Sequence, residues 1–92
     1  MPIQLSSRFN RMAEGIATIV LQVEMKKRNI KYEELLEMIN LLGANENLKN
    51  LRNKIGRGTF SAGFFLMCLV AMGADQVKID FDRKLMAEIE NE

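Results

Sequence analysis

The stretch Asn47-Leu48-Lys49-Asn50-Leu51-Arg52-Asn53-Lys54-Ile55-Gly56-Arg57-Gly58-Thr59-Phe60-Ser61 decides how the chain is read. Placed at 100° per residue, Leu48, Leu51 and Ile55 fall on one side of a helix and define its buried direction. Lys49, Asn50, Asn53 and Arg57 fall opposite, with Arg52 on the flank and Glu46 at the start. The outer side therefore holds the side chains that hydrogen-bond base edges and phosphates: Lys and Arg toward guanine, Asn toward adenine. Asn45 or Asn47 can cap this helix, and the glycines at 56 and 58 end it and leave its backbone open to a close phosphate.

Upstream lies a second short helix, about Tyr32 to Leu42. Leu35, Leu36, Ile39 and Leu42 form its apolar side, Glu33, Glu34 and Glu37 sit toward its positive end, and Gly43 stops it. Before it, Phe9, Met12, Ile16, Ile19, Val20 and Val23 recur at helical spacing. They predict a first helix from Ser6 or Ser7 to about Arg28, with Gly15 as a possible bend and Lys26, Lys27 and Arg28 in its last turn. Downstream, Ser61 caps a fourth helix, Ala62 to Met72, that is apolar almost all round and ends at Gly73. Such a helix must be central or lie under another chain.

The period then changes. Val77, Ile79 and Phe81 alternate with polar residues, which reads as a strand whose partner is either residues 2–5 or a second protomer. Arg83 to Glu90 reads as a short amphipathic helix. The expectation is an all-α fold of four to five helices with a short C-terminal β-strand. It is one domain over residues 1–92, with a core at about 16–79 and an acidic tail at 80–92.

Composition removes several classes of function. The chain has 92 residues, no His, no Trp and a single cysteine, Cys68. A four-ligand structural zinc site, an intrachain disulfide and His-activated nucleophiles are therefore excluded. No catalytic residue, metal ligand or cofactor is expected. Glu33, Glu34 and Glu37 are read as complements to a helix dipole, and Cys68 as a core thiol. The uncharged run from Gly58 to Ala74 contains three glycines, Thr59 and Ser61 and falls short of a membrane span. The start of the chain lacks a secretory pattern, so a cytoplasmic protein is expected. The formal charge of +1 hides an asymmetry: residues 1–79 carry eleven basic and seven acidic side chains, and residues 80–92 carry two basic and five acidic.

A short helix, a glycine-containing connection and a second short helix with a polar, basic face is the order of a helix-turn-helix. From about Ile19 to Ile79 the chain resembles a lambda-repressor-like (Xre/Cro-type) domain, close to a small uncharacterised bacterial domain family of that type. The block Asn50 to Ser61 is similar to the end of such a recognition helix with its Arg-Gly turn and capped fourth helix. Lys27-Arg28-Asn29-Ile30-Lys31-Tyr32-Glu33-Glu34-Leu35 resembles the loop into the family's second helix, with Lys31 where the family usually has Thr or Ser. The resemblance implies a sequence-specific binder of double-stranded DNA, usually a dimeric transcriptional regulator. Lys49, Asn50 and Asn53 are the expected base readers. Arg52, Lys54, Arg57, Lys26, Lys27, Arg28 and Lys31 are the expected phosphate contacts, with the Tyr32 hydroxyl beside them. A homodimer is expected, with no membrane association and no small-molecule ligand evident. The alternative is a protein–protein module on the same scaffold, antitoxin-like or an adaptor, working through the fourth helix, the strand and the tail.

Overall fold

The computed structural model describes residues 7–79, with four helices: α1 (Ser7–Lys27), α2 (Tyr32–Leu41), α3 (Leu48–Arg57) and α4 (Ala62–Ala71). Each boundary has a local cause. Asn29, in the left-handed region, turns the chain out of α1, and Ile30 N–H donates to the Met25 carbonyl at 2.8 Å. Lys31 occupies the N-cap of α2 but offers no acceptor. Its own N–H is satisfied instead by the Glu34 carboxylate three residues on, at 3.0 Å. Asn47 rather than Asn45 caps α3, its side-chain oxygen accepting from Asn50 N–H at 2.8 Å. Asn45 is spent on the turn itself, at φ 53°. Ser61 caps α4 through Phe64 N–H at 3.0 Å. α1 is assigned as one helix through Gly15, where the sequence allowed a bend.

α1 and α2 each pack against both α3 and α4. Leu21, Leu35, Ile39, Leu51, Ile55 and Cys68 are fully buried where the four helices meet, with Met25, Phe64, Leu69 and Met72 around them. Each of the large aliphatic side chains contributes about 1.5–3 kcal/mol by leaving water. α3 is thereby anchored by its two inward residues, Leu51 and Ile55, and every polar residue between them points outward. Phe60 stacks on Phe65, ring centres 5.8 Å apart, and closes the α3–α4 corner, where the helix axes turn through 113°.

That corner rests on α1. The Thr18 hydroxyl donates to the Ile55 carbonyl near the end of α3. Gly58, at φ 67°, is buried with its α-carbon directly over the Glu14 backbone, and a β-carbon there would overlap the Glu14 carbonyl. Gly56, by contrast, faces open space.

Among the described residues the fold is all-helical, and residues 74–79 form no strand. Val77 packs on the core, and Ile79 and Lys78 each line a groove against α1, so the segment rests on helices without the in-and-out alternation of a strand. Asp80 and Phe81, the tail helix expected at Arg83 to Glu90, and the pairing candidate at residues 2–5 lie outside the described residues. No single helix among the described residues is long and apolar enough to cross a membrane. The apolar run is instead divided between the α3–α4 corner and α4, whose inner side is core and whose outer side exposes Leu66 and Val70.

The two glycines of the corner should respond oppositely to alanine. Gly58→Ala is expected to lose more than about 2 kcal/mol of unfolding free energy, since it adds both overlap and a left-handed φ to a non-glycine residue. Gly56→Ala is expected to be neutral or to gain up to about 1 kcal/mol. Urea unfolding of both variants checks this, and equal losses would contradict the seat of the corner on α1.

Candidate nucleic-acid interface

Lys49, Asn50, Arg52, Asn53, Lys54 and Arg57 are all exposed along α3, as the burial of Leu51 and Ile55 on its opposite side requires. Their surroundings separate them. Asn50, Asn53, Lys54, Arg57 and Thr59 line a shallow depression of about 200 Å³ at the C-terminal half of the helix. Lys49 and Arg57 make no ion pair with another described residue, and Asn53 presents its amide without a hydrogen-bond partner among them.

Arg52 and Lys54 are tied down. Lys54 Nζ lies 2.6 Å from a Glu46 carboxylate oxygen and 4.9 Å from the centre of the Phe64 ring, which draws it along the flank of α3 toward α4. Glu46 also accepts from Asn47 N–H at 3.4 Å, and its side chain is only 11% exposed. The Lys54 ammonium, helped by the Asn47 amide and the Asn50 side chain, holds this carboxyl below the usual carboxylate range despite its burial. Asn40 brackets the same loop, accepting from Glu46 N–H at 2.7 Å and donating to the Glu46 carbonyl at 3.0 Å. The connection from α2 to α3 is thus fixed by polar bonds, and with it the angle at which α3 is presented.

Arg52 reaches the other way. Its guanidinium lies 2.6 Å from Glu33 at the start of α2 and 5.4 Å above the Tyr32 ring. That pair lowers the Glu33 carboxyl below its ordinary value, chiefly through the Arg52 hydrogen bond. Arg52 forms one wall of an open cavity of about 470 Å³, to which Gln22, Lys26, Lys31, Tyr32 and Glu33 also contribute. The Tyr32 hydroxyl accepts from Gln22 Nε2 at 3.3 Å. In the sequence Lys26 lies in the last turn of the first helix, Lys31 belongs to the connection and Tyr32 begins the second helix. The fold gathers them around one cavity at the junction of α1 and α2, with Arg52 of α3 on its edge.

The remaining two residues of the basic cluster differ. Lys27 and Arg28 both engage Glu24, Lys27 at 3.2 Å. Glu24 is a buried charge, 3% exposed, and the charge-assisted bonds from Arg28 and then Lys27 hold its carboxyl below the usual range against the opposing effect of burial. Sequence reasoning missed this glutamate, although Glu24 stands three and four residues before Lys27 and Arg28, the spacing at which helical side chains meet. Arg28 and Lys27 accordingly serve the end of α1 first, whereas Lys26 and Lys31 make no ion pair with another described residue and are open to a ligand.

No group of three or more metal-binding side chains occurs among the described residues. Cys68 is fully buried, and desolvation pushes its thiol up to about 12, so it has no nucleophilic thiolate at neutral pH. Among the carboxylates around this surface, Glu34 bonds the N-cap amide of α2, and Glu33 and Glu46 are ion-paired. α3 thus presents cations and amides to solvent on the side opposite Leu51 and Ile55.

Residues 13–77 match the model of the family described as Domain of unknown function (DUF6471), and the chain belongs to that family. No curated protein and no solved structure matches it.

The buried Glu24 gives a pH dependence whose sign follows from its lowered pKa. The native carboxylate is favoured, so its contribution is complete above the ordinary carboxylate range, near pH 4.3, and disappears as pH falls through the depressed native value. Glu24→Gln should therefore be less stable than the parent at pH 6–7, with the gap narrowing as pH falls below about 4. Thermal unfolding at stepped pH measures it, and a gap that is constant with pH would contradict the assignment.

Proposed function

We propose that this member of the DUF6471 family is a sequence-specific binder of double-stranded DNA, acting as a homodimer and a small transcriptional regulator. The observation that carries the proposal is the exposed face of α3. Lys49, Asn50, Asn53 and Arg57 stand together on a helix whose opposite side is locked into the core, and Lys26 and Lys31 flank it across the α1–α2 junction. The short α2, the bonded connection and α3 support a helix-turn-helix of the lambda-repressor-like kind, in which the second helix of the pair enters the major groove. In this reading Asn53 and Lys49 read base edges directly, and Asn50 does so on leaving the Glu46 carboxylate to which its side chain bonds. Arg57, Lys26, Lys31 and the Tyr32 hydroxyl meet phosphates directly, whereas Arg52, Lys54, Lys27 and Arg28 approach them from existing ion pairs.

Self-association is supported by a different surface. α4 carries no charged side chain, and its outer residues Leu66 and Val70 are 57% and 67% exposed. Ile19 and Val23 are exposed on α1. Leu41 and Leu42, at the end of α2, are exposed as well, and much exposed apolar surface on a small domain is the usual mark of an interface. The same observation favours the second reading, a protein–protein module with an unlike partner and no DNA site of its own. Localisation in the cytoplasm accompanies either reading.

A fluorescence titration with duplexes selected from a random library tests the first reading. Affinity should fall with salt at a log–log slope of about −0.9 for each phosphate neutralised. Asn53→Ala should cost roughly 1–3 kcal/mol and relax the preferred sequence. Lys26→Ala should weaken all sequences alike and more than Lys27→Ala, because Lys27 is already engaged by Glu24. Binding that ignores salt and these substitutions would overturn the proposal.

For the dimer, sedimentation equilibrium of the parent and of Leu66→Asp should show a dimer dissociating to monomer on substitution. A parent that stays monomeric at high concentration would leave the apolar face to an unlike partner.

A further inference from the structure

The two carboxylates that pair with cations of α3 are built differently. Glu46 is nearly buried and held by a backbone amide, an asparagine and a lysine, so it belongs to the scaffold that positions α3. Glu33 is half exposed, as is its partner Arg52, and the pair spans α2 to α3 in contact with solvent. Exposed pairs of this kind contribute little to stability. Glu33 nevertheless places a negative charge among Lys26, Lys31, Tyr32 and Arg52, the groups around the same open cavity. Without it, Arg52 would stand as a further unengaged cation between Lys49 and the α1–α2 junction.

We infer that Glu33 is a specificity-determining residue: by engaging Arg52 it withholds one cation from phosphates and lowers affinity for DNA of arbitrary sequence. This rests on the DNA-binding reading of α3. A duplex docked without the correct base contacts does not gain enough to displace Glu33, so it is held by the remaining cations alone. A duplex that satisfies Asn50, Asn53 and Lys49 brings its backbone close enough for a phosphate to compete with Glu33 for the guanidinium. The discrimination arises from the difference, since every arbitrary site is deprived of a contact that the correct site regains. The Tyr32 ring under Arg52 keeps the guanidinium at the edge of the cavity, so that exchange needs only a change of anion and no large movement of the side chain.

The experiment is a double-mutant cycle on the full chain, with Glu33→Gln, Arg52→Ala and Glu33→Gln/Arg52→Ala titrated against a selected duplex and a random-sequence duplex at several salt concentrations. Glu33→Gln should bind the random duplex about five- to ten-fold more tightly and steepen its log–log salt slope by about 0.9, one added phosphate contact. The selected duplex should gain less, so that the ratio of the two affinities falls. The double variant should show neither gain. An unchanged or weaker affinity of Glu33→Gln for the random duplex overturns the inference, and so does a gain that survives in the double variant, because Arg52 would then not mediate it. Either of those results leaves the DNA-binding reading standing. If neither parent nor Glu33→Gln binds any duplex, that reading falls and the inference with it. Circular dichroism of each variant distinguishes lost binding from lost fold.

Discussion

Everything on the exposed face of α3 depends on how its C-terminal end is seated on α1. Gly58 lies against the Glu14 backbone with no room for a β-carbon, and Thr18 bonds to the Ile55 carbonyl beside it. With Leu51 and Ile55 fully buried, this contact fixes both the rotation of α3 and the 113° turn into α4. At the other end, Glu46 and Asn40 bond the connection from α2 and leave the start of α3 equally constrained. A ten-residue helix is marginal by itself in water. Clamped at both ends, it is held in one orientation, as the proposed base recognition would require of its side chains.

Charge is distributed with the same economy. Lys27 and Arg28 neutralise a buried glutamate, Lys54 a nearly buried one, and Arg52 an exposed one. The cations that make no ion pair with another described residue include Lys26, Lys31, Lys49 and Arg57. Lys26 and Lys31 share the cavity at the α1–α2 junction, and Lys49 and Arg57 lie on the outer surface of α3. A net charge of +1 for the whole chain says nothing of this arrangement. An acidic excess in residues 80–92 and ion pairs in the body together conceal a locally basic surface.

Much of this was legible in the sequence, because it depends on local chemistry. Asn45 or Asn47 and Ser61 as caps, and Gly43, Gly58 and Gly73 as stops, act within a turn or two of the chain. The apolar period located the helices but misplaced the inner face of α1: it put Ile19 and Val23 there, which are exposed, while Leu21 and Met25 enter the core. Which residues face outward on α3 follows from the same periodicity. What the sequence concealed was non-local. Val77 and Ile79 alternate with polar residues as in a strand, but the segment rests on α1 and the core and forms no strand among the described residues. The meeting of Tyr32, Glu33 and Arg52 depends on the angle between α2 and α3, and no spacing rule encodes it. Gly56 and Gly58 look alike on paper, and only the approach of α1 separates the one that the fold requires from the one it does not. The all-apolar character of α4 was legible, but its placement, half core and half surface, was not.

The most direct test of the central claim is a backbone amide chemical-shift map of the full chain during titration with a selected duplex. The account predicts shifts concentrated from Lys49 to Gly58 and from Lys26 to Glu33, with Ile19, Val23, Leu66 and Val70 unaffected. Shifts confined to the exposed apolar residues of α1 and α4, or none at all, would contradict it.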